Sequence, residues 1–292
     1  MMMKQILLCS DLDRTLIPNG VQPESPQARK RLKKIAAHES LTLVYVSGRH
    51  KALLTEAIEE FGLPTPDYAI GDVGTTIYEI QGQQWQPWKA WHDEIAPDWQ
   101  GYSHEGVVKL FEDMDDLRLQ EPEKQNTFKV SYYAPEELDH QKLIKEMQQR
   151  LALEGIRASL IWSIDEVEHI GLLDILPEQA TKLHAIRFLM KKKGFDDEHT
   201  VFAGDSGNDL PVLTSGMQAV LVRNATDSVR ESALNILKQS NQQEKLYQAR
   251  GEFLGMNGNY AAGVLEGLAY FIPETKDWMT DSPRETGTPT HM

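Results

Sequence analysis

The stretch "QILLCSDLDRTLI", Gln5 to Ile17, opens with an apolar run and breaks into two carboxylates spaced one residue apart, Asp11 and Asp13. A short continuous apolar run that ends in polar residues is the pattern of a parallel strand buried on both faces. Its successor, "PESPQARKRLKKIAAHES", offers Ser25 as a cap and Pro26 at the first position of an amphipathic helix. "LTLVYVSGR" is then a second buried strand, Leu41 to Val46, running into Ser47, Gly48 and Arg49. A helix from about Lys51 to Phe61 leads to "PDYAIGDVGTTIY", a third strand with a glycine-rich exit. Strand and helix alternating in this order predict an α/β fold with a doubly wound, mainly parallel, Rossmann-like sheet.

From about Gln83 the character changes, with Trp85, Trp88, Trp91 and Trp99 set among prolines and acids. The α/β rhythm returns in "PEQATKLHAIRFLMKKKGF", "HTVFAGDSGNDLPVL" and "QAVLVRNA", and "NYAAGVLEGLAYF" closes it with a helix. The expected organisation is a core at 1–83, an inserted α+β cap at 84–175, a second core segment at 176–272 and a loose tail at 273–292.

The chain has 292 residues, 40% of them hydrophobic, so it can bury a sizeable core. Its formal net charge of -14 argues against a nucleic-acid partner, whose phosphates demand clustered Lys and Arg. "RKRLKK", Arg29 to Lys34, reads as a solvated helix face. The single cysteine, Cys9, suits a reducing compartment, and cytoplasm is the default expectation. The N-terminus lacks the small-residue cleavage site of a signal peptide, and no apolar stretch reaches the length of a membrane span.

Acids after a strand often only cap the next turn, so Asp11 and Asp13 alone say little. A second buried strand, however, also runs into acid in "VFAGDSGNDLPVL", at Asp205 and Asp209, with Ser206 to Asn208 between them. Open α/β sheets bind ligands at the carboxyl ends of their strands. If both loops leave one sheet edge, Asp11, Asp13 and Asp205 converge on a hard cation, and an all-oxygen donor set favours Mg²⁺ over zinc. At Ser47, Gly48 and Arg49 a hydroxyl and successive backbone N–H groups can hold phosphoryl oxygens, or Ser47 can cap the following helix. Lys182 lies near the start of the helix that re-enters the core.

DxDxT, a strand ending in Ser-Gly-Arg, a lysine and GDSGND, in that order, resemble the haloacid dehalogenase superfamily of phosphatases. Within the branch that carries an α/β cap, "SDLDRTLI", "VSGR", "TPDYAIGDVGTTIY", "KVSYY", "LDILP", "GDSGND" and "VRNA" are similar to the sucrose-phosphate phosphatases and their relatives. The resemblance implies that Asp11 is the nucleophile, Asp13 the general acid and base, and Thr15 a brace at the phosphate loop. It implies that Ser47 and Lys182 hold the phosphoryl group, with Gly48, Arg49 and Asn208 beside it. Mg²⁺ would be held by Asp11, the Asp13 carbonyl and Asp205, supported by Asp209. In the cap, Lys129 matches a family position that reaches the sugar, and Asp174 is placed to accept its hydroxyls.

The implied reaction is hydrolysis of a phosphorylated disaccharide, foremost sucrose 6-phosphate, with mannosylfructose-phosphate and glucosylglycerol-phosphate as alternatives. The synthase that makes the substrate is a candidate partner. A non-catalytic phosphosugar binder and a phosphomutase are the rivals from other classes. Arg14 stands where many members carry Gly or Asn, and Thr181 stands where a glycine commonly precedes the lysine. The tryptophans at 85, 88 and 91 fit packing better than stacking on a sugar.

Overall fold

The computed structural model describes residues 4–165 and 168–280. It divides into two compact units, one made from Met1–Tyr45, Ala57–Asp67 and Lys193–Met292, the other from Val46–Glu56 and Tyr68–Lys192. Strands among the described residues are β1 (Ile6–Ser10), β2 (Leu41–Val46), β3 (Tyr68–Gly71), β4 (Thr76–Gln81), β5 (Gln84–Pro87) and β6 (Arg118–Leu119). They continue with β7 (Val130–Pro135), β8 (Ala158–Asp165), β9 (Ile170–Pro177), β10 (Thr200–Gly204), β11 (Gln218–Leu221) and β12 (Leu246–Gln248).

In the first unit the strands pair in the order β12-β11-β10-β1-β2, all parallel. Every residue of β1 and β10 is buried, as their apolar runs predict for strands covered on both faces. The register sets Ser10 opposite Ala203 on one side and opposite Tyr45 on the other. One further rung follows, because the Asp11 N–H donates to the Ala203 carbonyl at 2.9 Å. The chain therefore leaves β1 and β10 at the same height, and the acids that follow each strand are neighbours by construction.

The first helix begins at Ala28, two residues later than the sequence suggests. Ser25 does not cap it with its hydroxyl, which instead accepts from the Asn257 N–H at 2.9 Å. The helix Ala261–Phe271 lies against β11 so closely that a Cβ on Gly267 would stand 2.3 Å from Val220 Cγ2. Beyond it, where the sequence suggests a loose tail, a short helix spans Thr275–Met279. It is anchored by Trp278, which stacks on His38 with ring centroids 3.6 Å apart, and by the buried Met279. The rest of the expected tail, 281–292, lies outside the described residues.

In the second unit β3, β4 and β5 form an antiparallel meander. The sequence suggests a third strand with a glycine-rich exit in "PDYAIGDVGTTIY"; at that exit the chain reverses, at Asp72, Val73 and Gly74, whose φ values are 52°, 60° and 94°. Three successive left-handed residues turn the backbone on itself, so "TTIY" runs back beside "YAIG". The same unit contains a four-stranded antiparallel sheet, β6-β7-β9-β8, with the helix His140–Leu153 burying Leu143, Met147 and Leu151. The expected cap, 84–175, lies inside this unit, which also includes β3, β4 and all but the last residue of the helix Lys182–Lys193.

The tryptophans of this unit are occupied by packing. Trp91 is fully buried, donates from Nε1 to the Gly74 carbonyl at 3.1 Å and meets Phe188 at 5.2 Å. Trp88 donates to Glu79 at 2.9 Å and sets its edge against Tyr68. Among the described residues no helix is long and apolar enough to cross a membrane.

Gly267→Ala tests the helix contact on β11. Overpacking at this site is expected to cost about 1–3 kcal/mol in urea unfolding, recovered in part by Val220→Ala in the same chain. An unchanged unfolding midpoint in the single variant would show that the helix does not pack as described.

Candidate active site

One carboxylate oxygen from each of Asp11, Asp205 and Asp209 lies within 4.8 Å of the others, and all three residues are buried. At an effective dielectric constant of about 20, two unit negative charges that close repel by roughly 3 kcal/mol. The cluster is therefore costly unless a positive charge neutralises it, and its donors are all hard oxygen atoms.

Local bonds hold the acids against that repulsion. Thr15 Oγ1 donates to Asp205 Oδ1 at 3.1 Å and to Asp11 Oδ2 at 3.5 Å. Arg14 Nε reaches Asp205 Oδ2 at 3.3 Å. Asp209 Oδ2 accepts from the backbone N–H groups of Asp205 and Ser206, both at 3.2 Å, and from the Ser206 hydroxyl at 3.1 Å. The Asp209 carboxylate can fold back there only because residue 204 is glycine: a Cβ at that position would stand 2.7 Å from Asp209 Cγ. Asn208 Oδ1 accepts from the Ser206 hydroxyl at 2.8 Å. Burial pushes the Asp205 carboxyl above its ordinary value; Thr15 pulls it down, the neighbouring Asp209 charge raises it further, and Arg14 lowers it.

Asp13 is half-buried, and its Oδ1 accepts from Asn19 Nδ2 at 2.8 Å. The amide of Asn19 is bracketed in turn, since its Oδ1 accepts from the Arg14 N–H at 2.8 Å. Arg14 adopts φ 59°, and its carbonyl accepts from Asn224 Nδ2 at 2.6 Å. Asn224 Oδ1 accepts from the Tyr260 N–H at 2.8 Å. Sequence reasoning missed Asn19 and Asn224 as supports of the DxD loop. Asn224 lies in the quoted "VRNA", whereas "PNG" around Asn19 reads only as a turn.

The remaining expected site residues belong to the second unit. Ser47 is buried, and its hydroxyl accepts from the Arg49 N–H at 3.2 Å, closing a turn ahead of the helix Lys51–Glu60 rather than capping that helix. On the Cβ side of Gly48 there is nothing within 4 Å. Lys182 is the first residue of its helix, and Thr181, at the position of the common glycine, accepts from the His184 N–H at 3.1 Å as its cap. A lysine at a helix N-terminus opposes the helix dipole, a placement that favours bringing an anion to the same spot. Gly74 abuts this start: with φ 94°, a Cβ there would stand 3.0 Å from the Thr181 carbonyl carbon and 3.2 Å from the Lys182 nitrogen. Lys129 is nearly buried, with Nζ 3.9 Å from Asp174 Oδ1, which also accepts from the Ser131 hydroxyl. Ser131 and Asp174 are register partners on β7 and β9.

A family model for sucrose-6F-phosphate phosphohydrolase matches residues 4–272. A protein of Nitrosococcus oceani, an HAD-like hydrolase by name, is 62% identical over 285 residues, covering 98% of this chain and 76% of that protein. Sucrose-phosphatase 1 of Nicotiana tabacum is 27% identical over 275 residues, covering 91% of this chain. The chain spans 59% of the length of that plant protein. Among solved structures, the sucrose-phosphatase of Synechocystis sp. in complex with sucrose and phosphate superposes with a TM-score of 0.67 at 26% identity, covering 92% of this chain and 99% of its own.

The acid cluster has a consequence for stability. Because the folded-state value of Asp205 is raised, the native state binds its proton more readily than the unfolded chain does. Its contribution to stability therefore falls as pH rises through that raised value. At neutral pH Asp205→Asn is expected to raise the Tm of chelator-treated protein by a few degrees while removing the Tm gain on adding Mg²⁺. The Arg14 side chain left behind is 40% exposed and can be hydrated. A lower Tm in chelator, or a Mg²⁺ gain equal to that of the unaltered chain, would contradict the arrangement.

Proposed function

The chain belongs to the sucrose-6F-phosphate phosphohydrolase family, within the haloacid dehalogenase superfamily, and on that premise we propose that it hydrolyses a phosphorylated disaccharide or glycoside, foremost sucrose 6-phosphate. The observation that carries the reading is the buried trio Asp11, Asp205 and Asp209 at the carboxyl ends of two adjacent parallel strands. An all-oxygen, multiply anionic donor set suits Mg²⁺. Asp11, the Asp13 carbonyl and Asp205 would hold the ion, with Asp209 and Asn208 in support. When bound it supplies the positive charge that lets an anionic carboxylate approach an anionic ester.

Each remaining role falls on a residue of the chain. An Asp11 carboxylate oxygen attacks phosphorus, and the bond from phosphorus to the sugar oxygen breaks as the new bond forms. Asp13, oriented by Asn19, gives its proton to the departing sugar oxygen. It then takes a proton from the water that attacks the aspartyl-phosphate, freeing inorganic phosphate and restoring Asp11. Thr15 keeps the Asp11 and Asp205 carboxylates in place. Ser47 and Lys182 hold the phosphoryl oxygens and offset charge as it moves between them, with Gly48 and Arg49 completing that loop. Lys129 and Asp174 meet the sugar hydroxyls. The same reading places the enzyme in the cytoplasm, supplied by a synthase that makes the phosphorylated sugar.

Phosphate release across sucrose 6-phosphate, mannosylfructose-phosphate and glucosylglycerol-phosphate tests the proposal. The highest kcat/KM is expected on sucrose 6-phosphate, with loss of activity in chelator and recovery on adding Mg²⁺. Asp11→Asn should lower kcat by roughly 10⁴-fold or more while leaving the Tm close to that of the unaltered chain. Near-normal turnover by that variant, or activity that survives complete metal removal, would sink the mechanism.

A further inference from the structure

Asp98 places a carboxylate with no exposed surface in the short turn Ala96–Trp99, which continues the helix Lys89–Ile95. Arg157 is its counter-charge: Nη2 donates to Asp98 Oδ1, and the Arg157 N–H donates to the Asp98 carbonyl at 2.8 Å. Apolar packing of similar volume is often as stable as a buried ion pair, so the carboxylate calls for a geometric reason.

That reason lies at Gln179, three residues ahead of Lys182. The Gln179 N–H donates to Asp98 Oδ2 at 2.7 Å, and its Nε2 donates to Asp98 Oδ1 at 3.2 Å. The carbonyl of Gln179 serves the helix that follows, accepting from the Thr181 N–H and from His184 Nδ1, both at 2.9 Å. His184, in the first turn of the Lys182 helix, is held on its other side as well. Its Nε2 stands 3.4 Å from Glu94 Oε1, and its ring meets Trp91 edge-on at 5.1 Å. Trp91, Glu94 and Asp98 are spaced three and four apart, as residues on one face of a helix are. All three meet the start of the Lys182 helix. The first N–H groups of a helix lack intrahelical partners, and a lysine there opposes the helix dipole, so such a start frays unless it is held from outside.

We infer that Asp98 is a positioning residue for Lys182, which clamps Gln179 and so fixes the first turn from which the Lys182 ammonium is presented. It rests on the reading above that Lys182 holds the phosphoryl group. The effect of Asp98 therefore falls on the phosphoryl group, which every substrate shares, and is independent of the sugar attached to it.

The test is binding of inorganic phosphate to the full chain at saturating Mg²⁺, measured by isothermal titration calorimetry through a cycle of Asp98→Asn and Lys182→Ala. Asn keeps the shape of the side chain but turns an amide NH₂ toward a group that is itself a donor. Asp98→Asn is expected to weaken phosphate binding about ten-fold, and in the Lys182→Ala background to add less than about two-fold. The same ten-fold loss should appear in kcat/KM on the preferred sugar phosphate and on p-nitrophenyl phosphate alike. A residue that only stabilised the fold would lower the Tm and leave phosphate affinity unchanged. Unchanged affinity in Asp98→Asn, an equal loss in both backgrounds, or a loss confined to the sugar phosphate would overturn the inference.

Should Asp98→Asn fail to fold, Gln179→Ala carries the test. Gln179 is exposed, so the variant leaves the core intact while removing one of its two donors to Asp98. Phosphate affinity is expected to fall about three-fold, again only where Lys182 is present, and no change would overturn the inference. A Lys182→Ala variant that binds phosphate as tightly as the unaltered chain would defeat the reading of Lys182 itself, and the role of Asp98 with it.

Discussion

Mutual repulsion among three buried carboxylates is the constraint on which the rest of the first unit depends. Parallel pairing of β1 with β10 ends both strands at one height and delivers Asp11 and Asp205 side by side. Asp209 then folds back over Gly204 to make the third. Left to themselves these charges would separate. They are kept together by Thr15 between two of them, by the backbone donors on Asp209 and by the Arg14 guanidinium on Asp205. Such an arrangement sacrifices stability in the absence of a cation, and binding a cation returns it. The site is thus a place where the fold holds strain in reserve for chemistry.

Support for that arrangement reaches beyond the two strands. Asn224 lies just past β11 and joins the Arg14 carbonyl to the Tyr260 backbone. Arg14 and Tyr260 both have positive φ, near 59° and 52°, and the asparagine bridges the pair. Three neighbouring strand ends therefore contribute: β1 supplies Asp11, β10 the other two acids, and β11 the amide that fixes the Arg14 turn. This follows the general rule that open α/β sheets assemble ligand sites outside the carboxyl ends of their strands.

Much of this was legible in the sequence because it rests on local patterns. "ILLCS" and "TVFAG" are continuous apolar runs, and the acids directly behind them mark strand ends. The return strand after Asp72 was not legible: Asp72 and Val73 take left-handed φ without being glycine, so the sequence shows the glycine-rich exit of "YAIG" but not that "TTIY" pairs back with it. Ser25 looked like a helix cap, but a residue far along the chain, Asn257, claims its hydroxyl. Asn19 and Asn224 share this character. Each acts through a partner that sequence spacing does not reveal, whereas Asp11, Asp13, Asp205 and Asp209 advertise themselves by standing at the ends of buried strands. Trp91 shows the same rule from the other side, since its place against Gly74 and Phe188 is a tertiary fact that composition alone leaves open.

The central claim is that the acid cluster exists to hold one divalent cation beside Asp11. Anomalous diffraction from crystals of the protein soaked with Mn²⁺, a stand-in for Mg²⁺ with the same preference for oxygen donors, tests it most directly. The account predicts a single strong anomalous peak in contact with carboxylate oxygens of Asp11 and Asp205, lost in Asp205→Asn crystals soaked in the same way. Saturating Mn²⁺ that leaves no peak among Asp11, Asp205 and Asp209, or that binds elsewhere while the three acids stay as they are, would contradict it.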